Sequence, residues 1–164
     1  MSDHDDNKQA YVVVRKAVMS DIHEIHRLLS FYGEKGVLLP RPLSELYDHM
    51  RDYFVVEDTR KKNGIQAVGG LGICWEDLAE IKSLAVLEGL QGKGIGSKLV
   101  NACLEEARFF GIKKIFALTY VPDFFTRFGF QEVSKSLLPQ KIWADCLKCT
   151  KFPNCDEVAM LLNL

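Results

Sequence analysis

The sequence predicts an α/β (α+β) fold, a mixed sheet flanked by helices. Three observations predict it. From Glu80 to Phe110 the chain reads as strand, glycine-rich turn and amphipathic helix: EIKSLAVLEGLQGKGIGSKLVNACLEEARFF. Asn63-Gly64, between two apolar runs, is the strongest short signal for a hairpin and hence for an antiparallel pair. Lys114 to Thr119 (KIFALT) follows the helix as a further strand, which the βαβ rule makes parallel to the strand before it.

Length and composition bound the rest. The 164 residues suit one domain with a single core, expected over residues 11–164 after a tail at 1–10. Hydrophobic content of 48% and charged content of 26% are ordinary for a globular protein. A formal net charge of −1 points away from nucleic acid and membrane surfaces as partners. No apolar run approaches the roughly 20 residues of a spanning helix. The start, MSDHDDNKQ, is polar and acidic, so it reads as a frayed tail rather than a signal peptide. A cytoplasmic location is therefore expected, where the five cysteines stay reduced.

Taken in order, Tyr11 to Ala17 (YVVVRKA) is predicted as the first strand. Asp21 to Glu34 is predicted as a helix capped by Ser20, with Ile22, Ile25, Leu28, Leu29 and Tyr32 inward. His23 and His26 lie on it without an evident acidic or cysteine partner, and read as a solvated face. Gly36 ends the helix. In the loop that follows, Pro40 and Pro42 flank Arg41, which predicts a stiff segment projecting that arginine. Leu43 to Asp52 is a second helix, with Leu46, Tyr47 and Met50 as its apolar face.

Phe54 to Glu57 is the next strand and Thr59 to Gly64 (TRKKNG) the hairpin turn. Ile65 to Trp75 is a long third strand, whose glycines at 69, 70 and 72 suggest bends or a bulge. Glu80 to Val86 has the near-continuous apolar run of a buried strand. On the helix after the turn, Leu99, Val100, Cys103, Leu104, Ala107 and Phe110 share one face. Beyond the fifth strand, Asp123 to Arg127 is a short helix, Phe130 to Val133 a strand, and Val158 to Leu162 a last strand. No internal repeat, low-complexity stretch or linker interrupts the chain.

Strand, glycine loop and helix N-terminus form a geometry for holding phosphate. The first N–H groups of a helix lack partners, and the aligned peptide dipoles favour an anion there. A Walker loop needs G-x-x-x-x-G-K-[ST]; Gly89 and Gly94 have the spacing, but Ile95 stands where the lysine must be. A dinucleotide fingerprint needs G-x-G-x-x-G, whereas Gly92, Gly94 and Gly96 give G-x-G-x-G. The third pattern, Q/R-x-x-G-x-G/A, is met by Gln91, Gly94 and Gly96. By that loop, the strand before it and the Phe124–Phe130 segment, the chain resembles the GCN5-related N-acetyltransferase (GNAT) family.

The resemblance implies the acyl-CoA N-acyltransferase fold: a mostly antiparallel mixed sheet, splayed between strands 4 and 5. The order β-α-α-β-β-β-α-β-α-β-β agrees with it. It implies acetyl-CoA as cosubstrate, with no metal expected. The pyrophosphate would meet the main chain of Gln91, Gly92, Lys93, Gly94, Ile95, Gly96 and Ser97. The pantetheine arm would pair with the backbone of Leu84, Ala85 and Val86. The reaction implied is direct attack of a primary amine on the thioester through a tetrahedral intermediate. Glu80 matches the family's glutamate base, and a backbone N–H around Leu84 to Val86 would serve the oxyanion. Many members carry a tyrosine as thiolate acid on the short helix after strand five; here the coenzyme-contacting position reads Phe125. Tyr120, at the end of strand five, is the fallback acid, and water the alternative.

Further segments narrow the acceptor. GVLLPR (36–41), EIKSLAV (80–86), LTY (118–120) and LPQKIW (138–143) are similar to the acetyltransferase domain of bacterial N-acetylglutamate synthases, most of all short stand-alone forms. That similarity implies L-glutamate as small-molecule substrate, in the first step of arginine biosynthesis. It leaves no room for the arginine-sensing kinase-like domain of the long forms. Two carboxylates call for fixed cations with planar, bidentate geometry where possible. Arg41 is the first candidate. Resemblance adds the Leu39 carbonyl and Ser83, while Lys82 and Lys141 are further basic candidates. Trp143 reads as packing or pocket wall.

Cys146, Cys149 and Cys155 form C-x2-C-x5-C. Zinc, reversible disulfide formation and plain packing remain open for them, with packing preferred because no second C-x-x-C exists. Cys74 and Cys103 read as core. Two rival functions stay in view: acetylation of another small amine by the same fold, and a module that binds acetyl-CoA without turnover. Members of the family are often dimers, so a homodimer is among the expected partners.

Overall fold

The computed structural model describes residues 11–139 and 156–164. The predicted tail, Lys141, Trp143 and the C-x2-C-x5-C group lie outside these residues. Seven strands pair in the order β1-β2-β3-β4-β5-β7-β6. They are β1 (Val12–Lys16), β2 (Tyr53–Asp58), β3 (Ile65–Trp75), β4 (Leu78–Val86), β5 (Lys114–Thr119), β6 (Gln131–Val133) and β7 (Val158–Asn163). The helices are α1 (Ile22–Glu34), α2 (Leu43–Asp48), α3 (Ile95–Phe109) and α4 (Pro122–Thr126). By packing the chain divides into two compact units: residues up to Gly70 with Ser83–Glu105, and Leu71–Lys82 with Glu106–Leu164.

In the first unit β1, β2 and β3 are antiparallel neighbours. Both faces of the strands are covered, so their residues alternate between two apolar cores rather than between core and water. Tyr53, Val55, Val68 and Ala85 pack with Ile22, Ile25, Leu28 and Leu29 of α1 and Leu46 of α2. Val56 and Ala67, with Phe54, Leu84 and Val86, pack with Ile95 and Leu99 of α3. The neighbours Val55 and Val56 are both fully buried for this reason.

In the second unit β4 and β5 are parallel, as the crossover rule predicts. The ladder engages the first three residues of each, Leu78–Glu80 with Lys114–Phe116. β5 then pairs along its whole length with β7, which pairs with β6. Leu78, Phe116, Leu138 and Ala159 form the core here, with Cys74 and Leu118 against it.

Several expectations need correction. Ser20 does not cap α1. Met19–Asp21 forms a single tight turn, and the Val18 amide donates to Asp21 at 2.8 Å. Asp21 also takes two hydrogen bonds from Arg15, at 2.7 and 2.9 Å. Burial pushes the Asp21 carboxyl up, but these bonds outweigh it and hold the carboxyl below its ordinary value. The second helix breaks at His49, and a tight turn, Met50–Asp52, completes it. Tyr47 is exposed rather than inward, as is Phe110 at the end of α3.

Against β2, the pairing of β3 is irregular at the start of the strand, where Val56 faces Ala67 but Glu57 faces Ile65. Gly69 and Gly72 make room for neighbours. A Cβ on Gly69 would stand 2.9 Å from Leu84 Cδ1, and one on Gly72 would meet Lys82. Gly64 is similarly tight: its Cβ would lie 2.2 Å from the Asp58 carbonyl oxygen.

Candidate active site

β4 ends at Val86 and the loop to α3 begins with a turn, the Leu90 amide donating to the Leu87 carbonyl at 3.0 Å. Gly92 and Gly94 then take φ of 77° and 78°, a region that costs an L-residue with a side chain about 1–2 kcal/mol. A Cβ at either would touch nothing within 4 Å, so conformation demands these glycines and the space beside them is open. The Lys98 amide bonds back to the Gly94 carbonyl at 3.4 Å. The amides of Ile95, Gly96 and Ser97 therefore precede the first helical hydrogen bond and need acceptors from elsewhere. No acidic side chain occupies the first turn of α3, while Lys93 and Lys98 flank it. Ile95 fastens the turn by burying its side chain in the core. Open space, amides without helical partners and positive charge suit a diphosphate.

The loop is tied to α1 through a residue that the apolar stripe marked only as inward. The Tyr32 hydroxyl donates to the Val86 carbonyl at 2.5 Å. It accepts from Gln91 Nε2 at 2.7 Å. Gln91 thus spends its side-chain amide on Tyr32.

Along β4, Ser83 has φ of 54°, left-handed for a non-glycine residue inside a strand. Such a residue breaks the two-residue alternation and turns its peptide groups out of register, at a cost of order 1 kcal/mol or more. Glu80 and Lys82 precede this break, both half-buried; Leu84, Ala85 and Val86 follow it, and Ala85 is buried. Lys82 runs over Gly72.

Arg41 does not project from its loop. It is 8% exposed, and its Nη1 donates to Glu45 Oε1 at 3.1 Å. Pro42 occupies the N-cap of α2, so the helix starts at once and brings Glu45 within reach. Leu39 is half-buried beside Pro40, whose ring packs so close to α1 that a Cβ on Gly33 would stand 3.2 Å from it. In the second unit, Tyr120 is half-buried just past β5. There the Val121 amide donates to Thr119 Oγ1 at 2.9 Å. Phe125 is 3% exposed, set edge-on between Phe124 and Phe130 at centroid distances of 5.1 and 5.3 Å. It offers packing and no proton. Among the described residues no group of three or more His, Cys, Asp or Glu is placed to hold a metal. Nor, among them, is any helix long and apolar enough to cross a membrane.

The chain is 38% identical over 151 residues to an uncharacterized N-acetyltransferase of Chlorobaculum tepidum, covering 92% of this chain and 96% of that one. It is 36% identical over 121 residues to an amino-acid acetyltransferase of Mycobacterium tuberculosis, covering 74% and 69%. Among solved structures, a Mycobacterium tuberculosis protein in complex with coenzyme A superposes with a TM-score of 0.78 at 30% identity, over 93% of this chain and 99% of that one. N-acetylglutamate synthase from Neisseria gonorrhoeae, complexed with coenzyme A and N-acetyl-glutamate, gives 0.82 at 27% identity, over 94% of this chain but 35% of that longer one. The Acetyltransferase (GNAT) family matches residues 20–130, more than half of the sequence, and the chain belongs to that family.

Proposed function

We propose that this acetyltransferase moves the acetyl group of acetyl-CoA to the α-amino group of L-glutamate. The observation that carries the reading is the loop from Gly92 to Ser97, whose left-handed glycines lead straight into unsatisfied amides of α3. The acceptor rests on the named likenesses: the Mycobacterium amino-acid acetyltransferase and the Neisseria synthase solved with N-acetyl-glutamate. Against such long synthases the chain spans about a third of their length.

Acetyl-CoA supplies a thioester whose carbonyl carbon takes the amine and whose thiolate leaves. The chain's own residues do the rest. Near pH 7 an alkylamine is mostly ammonium, and Glu80 takes its proton, directly or through water. Main-chain N–H groups from Leu84 to Val86 donate to the carbonyl oxygen as it gains charge. Ser83, left-handed at φ of 54°, immediately precedes that stretch. Tyr120 or water returns a proton to the thiolate. Arg41 and Lys82 pair with the two carboxylates; Leu39, through its carbonyl, and Ser83 hold the amino group and backbone of the substrate.

A second reading, a module that binds acetyl-CoA without turnover, is favoured by one observation: Phe125 fills with packed hydrocarbon the position where a proton donor is expected. One assay decides among the readings. Thiol release from acetyl-CoA is followed with each protein amino acid in turn. Glutamate is expected to give the highest kcat/KM. A different amino acid in first place overturns the acceptor, and binding without release under every condition supports the module.

A further inference from the structure

We propose that Tyr32 is a positioning residue for the coenzyme, acting as a clamp that holds the end of β4 and the glycine loop in one fixed relation. The inference rests on the reading of that loop as the diphosphate site. A phenol has one proton and spare lone pairs. The Val86 carbonyl can only accept, so at 2.5 Å the Tyr32 proton is committed to it. Gln91, 2.7 Å away, must then present its NH2 group and donate. The result is a directional chain, Gln91 to Tyr32 to Val86, that joins points 54 and 59 residues from Tyr32 in sequence.

The anchor of the clamp is firm. Tyr32 lies in the last turn of α1, where its own carbonyl accepts from the Val37 amide at 3.2 Å. Its ring stands edge-on to Phe31 at 5.0 Å. Burial pushes the phenol up from its ordinary value. The two clamped points bracket the turn from Leu87 to Leu90. Val86 ends the strand along which the pantetheine would lie; Gln91 opens the run of amides for the diphosphate. A single hydroxyl thus sets the distance between the two parts of the coenzyme site. It also draws the Gln91 side chain back onto α1 and leaves the anion to the main chain.

The test uses Tyr32→Phe, Gln91→Ala and the double variant in the full chain, assayed with acetyl-CoA and the best acceptor. Gln91→Ala removes one hydrogen bond of the chain and Tyr32→Phe both, and each bond is worth about a three- to tenfold change at most. Gln91→Ala is expected to raise KM for acetyl-CoA by about that factor and Tyr32→Phe by at least as much, with kcat and acceptor KM within twofold. The double variant is expected to match the worse single one, since both cut the same chain. Gln91 is exposed, so its variant tests the clamp even if Tyr32→Phe folds poorly. A fall in melting temperature without the KM split, or additive effects, overturns the clamp. Calorimetric titration of the unaltered protein with coenzyme A separates the two failures. If coenzyme binds the unaltered protein but binds Tyr32→Phe equally well, the clamp alone fails; if coenzyme does not bind at all, the loop reading fails.

Discussion

Lys82 lies across Gly72: a Cβ on that glycine would stand 3.1 Å from Lys82 Nζ and 3.3 Å from its Cε. Any larger residue at 72 must push the ammonium aside. The contact is with the end of a flexible chain, so Gly72→Ala should cost little stability. If Lys82 pairs with a substrate carboxylate, the displacement removes part of an ion pair worth up to about 1 kcal/mol at a half-exposed site. KM for glutamate should then rise about threefold to fivefold, with KM for acetyl-CoA unchanged. An unchanged glutamate KM removes Lys82 from the pocket.

Gly94 tests the loop by conformation. At φ of 78° an alanine is strained by about 1–2 kcal/mol, and its methyl would enter the open space proposed for the diphosphate. Gly94→Ala should raise KM for acetyl-CoA by at least about tenfold. Gly89 is the control. Its φ is 88° and its surroundings are equally open, but it precedes the run of amides from 92 to 97. Gly89→Ala should lose comparable stability while KM for acetyl-CoA stays within twofold. Equal kinetic effects at both positions would mean that strain, not coenzyme contact, is being measured.

The buried Arg41 guanidinium is held in place by Glu45, which suits a cation that must not reorganise on binding. Arg41→Ala should raise the glutamate KM by tenfold or more and lower stability, because Glu45 is left without this partner. Arg41→Lys keeps the charge and loses the fork, and should recover only part of the affinity. Steady-state kinetics with each substrate varied checks this; a rise confined to the acetyl-CoA KM assigns Arg41 elsewhere.

Glu80→Gln keeps the size of the side chain and removes its capacity to take a proton. If Glu80 is the base, kcat should fall by about a hundredfold, with both KM values within threefold. Turnover equal to that of the unaltered protein gives the proton to another group.

What the sequence made legible follows from the range of each signal. β3 and β5 have the bounds their apolar runs predict, and α3 begins beside its glycines, because these are local patterns. The apolar run marks β4 as a buried strand. It could not foresee Ser83, because a serine in a left-handed conformation is chosen by its surroundings and carries no glycine to announce it. Tyr32 packs against the core as the apolar stripe predicts, yet helical spacing says nothing about what a phenol tip will meet. Gly69 and Gly72 suggested bends for the same reason: a glycine reports that a side chain is unwelcome, not whether φ or a neighbour such as Leu84 or Lys82 forbids it.

The hairpin between β2 and β3 provides an acid-sensitive brace. Arg60 grips Asp58 with both arms, Nε to Oδ1 at 3.0 Å and Nη2 to Oδ2 at 2.9 Å. The Arg60 amide adds a bond to Oδ1 at 3.1 Å. The Arg60 guanidinium holds the Asp58 carboxyl down from 3.8 to about 2. Because the folded value lies below the unfolded one, the unfolded chain takes up the proton first as pH falls. The stabilisation is complete above about pH 4 and is lost on the way down to about pH 2. Asp58→Asn removes this contribution at neutral pH and has nothing left to lose in acid. Urea unfolding at pH 7, 4, 3 and 2 should therefore show the unaltered protein more stable at pH 7, with the gap closing toward pH 2. Asp21, held low by Arg15, loses stability in the same direction and leaves a residual slope in both proteins. A gap that stays constant across this range would mean that the Asp58 carboxylate contributes shape rather than charge.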